Sequence, residues 1–179
     1  MSNTPHHSCF FSTSSELPAA TKVQAIAILN STLATAVDLK TQIKQAQWNV
    51  VTGNNCKPLQ ELFAEMATQL EEYTDIFAER LKALGGLAIA TARVVAELSI
   101  LPEYPYHTLD GIEHVEALVE RLTLWARSLL QESLQIADWG DRETSELYLE
   151  VFEMIEQRLW LLQAYLQVAL IPRCDRAVV

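Results

Sequence analysis

The stretch Pro58–Gly86, PLQELFAEMATQLEEYTDIFAERLKALGG, constrains the fold more than any other part of the chain. Leu59, Leu62, Met66, Leu70, Tyr73, Phe77, Leu81 and Leu84 recur at intervals of three and four, the spacing of one helix face. Pro58 sits where a first-turn proline is tolerated, and Gly85-Gly86 sit where a C-terminal glycine cap belongs. At about 100° per residue, Glu61, Glu65, Glu72, Asp75 and Glu79 share an arc of roughly 80° on the other side. A helix of this length must lay its apolar face on other helices. Its acidic face has a plain reading, a solvated outer surface, and a sharper one, a wall turned toward metal cations.

The rest of the chain supplies the partners. Thr21 opens a first helix running to about Val51, with Val23, Ile26, Leu29, Leu33, Val37 and Ile43 or Lys44 at helical spacing. The segment TGNNCKP breaks it. After Gly86, LAIATARVVAELS reads as a small helix or an extended crossover, and LPEYPYHTL, with two prolines, as a loop. Asp110 begins a third long helix, with Glu113 at capping-box spacing. Its stripe is Ile112, Val115, Leu118, Val119, Leu122, Trp125, Leu129 and Leu130, ending near Asp138-Trp139-Gly140. Asp141 caps a fourth helix, whose stripe is Leu147, Val151, Met154, Ile155, Leu159, Leu162 and Leu166. Trp48, Trp125, Trp139 and Trp160 read as packing residues, and His107 and His114 as surface polar residues.

Four long helices, with one long link between the second and third, predict an all-α four-helix bundle of ferritin-like arrangement carrying a short helix in that crossover. The pattern leaves other four-helix topologies open. The expected organisation is a flexible tail over 1–20, the bundle over 21–170 and a short tail over 171–179. His6, His7 and Cys9 in the first tail have the chemistry of a soft-metal site, but a short cluster of this kind is more often incidental.

Composition narrows the function classes. The 179 residues fit one domain with a real core, half of them hydrophobic. A net charge of −10 argues against nucleic acid as a partner. Three scattered cysteines indicate neither a disulfide framework nor a zinc ribbon, and point to the cytoplasm. No apolar run is long enough for a membrane span, and no signal peptide is expected. GxGxxG, P-loop, HExxH and GxSxG motifs are missing from the sequence.

KQAQWNV (Lys44–Val50), AERLKALGG (Ala78–Gly86), GDRET (Gly140–Thr144) and Leu159-Trp160 together resemble the Dps family of mini-ferritins, over roughly residues 25 to 168. The resemblance implies a homododecameric hollow shell that oxidises iron(II), usually with hydrogen peroxide, and stores the ferric mineral inside. In such a shell the acidic face can point to the cavity, with Glu61 and Glu65 as mineral-nucleation candidates. It also implies an iron site shared between two subunits. Asp75 and Glu79 match the family's later Asp and Glu. Gln47 and Gln60 stand where the two site histidines would be, and Ala64 where an early Asp would be. An amide oxygen is a far weaker iron ligand than imidazole, so the expectation is weakened or lost rapid ferroxidation. Whether the chain is an enzyme stays open; the alternative is a non-enzymatic metal-storage or structural shell.

The resemblance further implies an acidic pore for ion access, for which Asp138, Asp141 and Glu146 are the candidates; helix capping explains Asp141 equally well. Iron is the expected metal, with zinc or another divalent ion left open. Trp48 would border the iron site and intercept oxidising radicals. The family's DNA binding commonly uses lysine-rich tails. This N-terminal tail has no Lys or Arg, and Arg173 and Arg176 are offset by Asp175, so DNA binding is not expected. Hetero-assembly with a related subunit is left open.

Overall fold

The computed structural model describes residues 13, 15–51 and 56–170. Five helices follow in order: α1 (Ala19–Asn49), α2 (Cys56–Ala83), α3 (Ala92–Leu98), α4 (Gly111–Asp138) and α5 (Arg142–Leu170). α1 packs along α2 and α4 along α5; α3 lies on α1 within the crossover. This is the expected four-helix bundle with a short crossover helix. α1 starts at Ala19 rather than Thr21. His6, His7, Cys9 and the segment 171–179 lie outside the described residues.

The apolar face of α2 is buried as its periodicity predicts: Leu59, Phe63, Met66, Leu70, Phe77 and Leu81 all enter the core. They meet Ile26, Leu29 and Leu39 of α1, Trp125 of α4 and Tyr148 of α5 in one continuous cluster. Phe77 meets Tyr148 edge to face, with ring centroids 5.8 Å apart. Each fully buried side chain of this size contributes about 1.5–3 kcal/mol by leaving water, so the interior stripe dominates the stability of the bundle.

The two glycines ending α2 serve different needs. Gly85 has φ 86°, and its N–H donates to the Lys82 carbonyl while that of Gly86 reaches back to Leu81, both at 2.9 Å. This is a Schellman closure, which calls for the left-handed region at the first glycine. Gly86 is needed for space, because a Cβ there would sit 2.8 Å from the Ile26 side chain.

α1 is covered on several sides, by α2, α3 and α4. Its polar residues bury too, and their work is to satisfy the irregular crossover backbone. Asn30 Nδ2 donates to the Leu87 carbonyl at 3.1 Å, and its Oδ1 accepts from the Ile89 N–H at 3.0 Å. Ser31 donates to the Leu98 carbonyl at 3.1 Å. Ser99 Oγ donates to Asp38 at 2.5 Å. Gln42 donates to the Pro102 carbonyl at 3.1 Å. From α4, the buried Arg121 donates to Gln42 Oε1 at 2.5 Å and to the Glu103 carbonyl at 2.6 Å. The crossover is thus fastened along its length, and Tyr104 is set into the core.

Two expectations change in the protomer. His114 is 1% exposed rather than on the surface. Proline-rich 102–105 folds back over the start of α4, so that Tyr104 Oη lies 2.7 Å from His114 Nδ1. Trp125 is buried and Trp139 packs on the core, but Trp48 and Trp160 are each 68% exposed. Among the described residues, neither of these two indoles is packed into the core.

Candidate metal centre

The acidic carboxylates of α2 stand as the helix period places them: Glu61, Glu65, Glu72, Asp75 and Glu79 are all exposed. Among the described residues, cations reach only one end of the row. Lys57 Nζ lies 4.0 Å from Glu61 Oε1, and Arg158 of α5 lies 3.8 Å from Glu65 Oε2 while donating to Gln69 at 2.9 Å. Asp75 and Glu79 make no hydrogen bond or ion pair with any described residue. Four residues apart on a helix, they project from the same face, as chelation of one ion requires.

The amide half lies at the other end. Gln47 is half-buried in the last turn of α1, and its Oε1 accepts from Lys44 Nζ at 2.7 Å. Gln60, half-buried in the first turns of α2, donates Nε2 to the Val50 carbonyl at 3.2 Å. Ala64 follows one turn on and contributes no ligand atom. Fifteen residues of helix separate Gln60 from Asp75, about 22 Å at 1.5 Å per residue. One chain therefore does not bring the four predicted ligands together. Among the described residues, no three His, Cys, Asp or Glu side chains converge as a metal site. The two halves meet only if a second copy brings its Asp75 and Glu79 to the Gln47 and Gln60 of the first.

The turn from α4 to α5 holds the proposed ion-access carboxylates. Gly140, at φ 82°, closes α4, and Asp138 and Glu146 are exposed. Glu146 accepts from Arg142 at 2.6 Å, one turn away. Asp141 differs. Its side chain is 2% exposed, and Arg80 Nη2 lies 2.6 Å from its Oδ1. The same oxygen accepts from the Thr144 N–H at 3.2 Å, capping α5, and Oδ2 accepts from the Thr144 hydroxyl at 2.5 Å. Arg80 also donates to the Thr144 hydroxyl at 2.7 Å and pairs with exposed Glu143. In the protomer Asp141 is a neutralised, fully bonded anchor tying the end of α2 to the start of α5. The exposed carboxylates at this turn are Asp138, Glu143, which pairs with Arg80, and Glu146, which pairs with Arg142. Sequence spacing does not reveal Arg80, because its partner is 61 residues away.

One further carboxylate is half-buried between helices. Glu132 accepts from Ser128 at 3.0 Å and from Thr32 at 3.2 Å, and Thr32 in turn lies 2.7 Å from the Tyr148 hydroxyl. Burial raises its pKa, opposed by the Ser128 and Thr32 hydrogen bonds.

No described helix is long and apolar enough to cross a membrane. The ferritin-like domain model matches residues 26–170. The chain is 32% identical over 155 residues to the DNA protection during starvation protein of Agrobacterium fabrum, spanning 87% of this chain and 95% of that one. It is also 32% identical over 145 residues to DNA protection during starvation protein 2 of Bacillus anthracis, spanning 80% of this chain and 97% of its relative. Among solved structures, DpsC from Streptomyces coelicolor matches with a TM-score of 0.84 over 93% of this chain and 96% of its own, at 23% identity. A Dps homologue from Halobacterium salinarum matches with a TM-score of 0.83 over 99% and 95%, at 21% identity. The two solved structures speak for the fold, and the sequence matches speak for descent: the chain belongs to the Dps family of ferritin-like proteins.

Proposed function

We propose that the protein is an iron-sequestering Dps shell of the cytoplasm, protecting against oxidative stress, with a degenerate ferroxidase site between subunits. The observation that carries this reading is the exposed, unpaired Asp75–Glu79 pair on the acidic face of α2 in a Dps-family fold. Hard, anionic oxygen ligands suit iron(II), which is here substrate and cargo. In a closed shell of twelve copies, Glu61 and Glu65 would present carboxylates to nascent mineral. Asp138 and Glu146, with Asp141 as the buried anchor behind them, would line the path for entering cations. The exposed Trp48 and Trp160 fit burial against other copies.

The same geometry supports slow chemistry. Gln47 and Gln60 are amides, Ala64 is no ligand, and the Lys44 ammonium at Gln47 Oε1 opposes a second positive charge there. That contact favours the second reading, a shell that stores metal without oxidising it. Protection through DNA contact is not proposed, given the net charge of −10.

The reading is tested by loading iron(II) into the purified protein under peroxide and measuring iron that co-elutes with a large assembly in gel filtration. Wild type is expected to retain iron, and Asp75→Asn/Glu79→Gln to slow loading. A monomer, or an assembly that retains no iron, contradicts the reading. A gel shift at low salt should show no DNA retardation.

A further inference from the structure

The Tyr104–His114 pair is not accounted for by iron storage. Both side chains are buried, Tyr104 Oη lies 2.7 Å from His114 Nδ1, and the two rings stack with centroids 6.0 Å apart and planes within 13°. Arg121 lies 5.2 Å from the Tyr104 ring centre. A buried phenol is hard to oxidise by electron loss alone, because the resulting radical cation has no water to take its proton. A neutral imidazole at hydrogen-bond distance removes that obstacle. We propose that Tyr104 and His114 form a buried one-electron sink, in which the phenol gives up an electron while its proton passes along the hydrogen bond to Nδ1.

The balance closes within the pair and one oxidant. A one-electron oxidant of the peroxide-derived radical class is reduced by one electron. Tyr104 becomes a neutral tyrosyl radical, and His114 becomes an imidazolium. A thiol or other one-electron reductant reverses the step, the proton returning to the phenolate oxygen.

The surroundings suit both ends of the transfer. Burial lowers the His114 pKa, so the ring is neutral and ready to accept. The Asn49 carbonyl, then Glu113 and Asp110, act the other way and stabilise the imidazolium once formed. The C-terminal end of α1 adds its negative dipole end. With Nδ1 accepting, Nε2 carries the ring N–H, and it has no full hydrogen bond at rest. Asn49 adjoins Trp48, which is 68% exposed; under the proposal, an electron lost from an exposed indole is replaced from the buried pair. The contrast is Tyr148, whose hydroxyl, among the described residues, bonds only the Thr32 hydroxyl, a group too weakly basic to hold the proton.

The test uses the iron-free, full-length protein, so it is independent of the iron reading. Azide radicals made by pulse radiolysis oxidise exposed indoles; the tryptophanyl absorbance should decay as a tyrosyl absorbance grows. Tyr104→Phe, which removes one hydroxyl, should abolish most of that growth, whereas Tyr106→Phe, at a 76% exposed site, should not. His114→Gln, which can bond the phenol but cannot hold its proton, should slow the growth and reduce its yield. Equal tyrosyl growth in Tyr104→Phe and wild type overturns the proposal. Wild type carries its own check: the frozen radical's electron paramagnetic resonance spectrum should show the g-shift of a strongly hydrogen-bonded tyrosyl, and an unshifted spectrum also overturns it.

Discussion

Asp141 offers a sharp test of how this molecule is built, because a pore carboxylate and a buried anchor respond oppositely to substitution. Asp141→Ala removes the cap on the Thr144 N–H, worth about 1 kcal/mol. It also leaves Arg80, whose side chain is 10% exposed, with only Glu143, which is 78% exposed, as countercharge. Breaking a buried ion pair costs about 3–5 kcal/mol, and the surviving solvent-screened partner reduces this to about 2 kcal/mol. The sum is about 3 kcal/mol, or about 6–12 °C in melting temperature for a chain of this size. Asp141→Asn keeps an acceptor for the cap and should lose about 4–8 °C, while Asp138→Asn should melt like wild type. The assay is thermal unfolding followed by circular dichroism at matched protein concentration, since self-association of the kind proposed makes the midpoint concentration-dependent. A double variant, Arg80→Met/Asp141→Ala, leaves no unpaired buried charge and should fall short of the summed single losses by about 1–2 kcal/mol. An Asp141→Ala protein melting within about 1 °C of wild type would refute the reasoning.

Glu132→Gln should raise the melting temperature at pH 7 by a few degrees, about 1 kcal/mol. Burial raises this carboxyl's folded pKa above its unfolded value. Its contribution is therefore full below the ordinary carboxylate pKa and lost as pH rises through the raised one. The gap between variant and wild type should close near pH ~4, and a constant gap across pH would contradict the burial argument. Gly86→Ala places a methyl 2.8 Å from Ile26 and should cost about 1–3 kcal/mol. Measured by denaturant unfolding, that loss should shrink when Ile26→Ala makes room, and an undiminished loss would place the strain elsewhere.

How much of this was legible depended on range. The end of α2 was legible, because its cap is written in Gly85-Gly86 and its faces in a single period. The Asp110 and Asp141 caps were legible for the same local reason; Asp110 Oδ1 accepts from the Ile112 N–H at 2.8 Å. α1 was only partly legible. It is enclosed on several sides, so Asn30, Thr32, Thr35 and Gln42 are buried although no apolar stripe includes them, while Val23 of the predicted stripe is exposed. His114 looked like a surface residue because it follows a proline-rich loop; that loop folds inward on Arg121 and Gln42, contacts that sequence separation hides. Arg80 was missed beside the very Glu79 that was singled out, since only the folded chain brings Asp141 to it. Gln47, Gln60, Asp75 and Glu79 lie on the helices their periodicity implies, but two ends of one rigid helix cannot meet, so the four do not come together within one chain.

The central claim is that the Asp75–Glu79 half of the site survives while the Gln47, Gln60 and Ala64 half limits the chemistry. The most direct measurement is stopped-flow oxidation of iron(II) by hydrogen peroxide, comparing wild type with Gln47→His/Gln60→His/Ala64→Asp. The account predicts oxidation about 10- to 100-fold faster in the restored variant, the scale on which metal-site partners act. A wild type that already oxidises iron(II) as fast as the restored variant would contradict it.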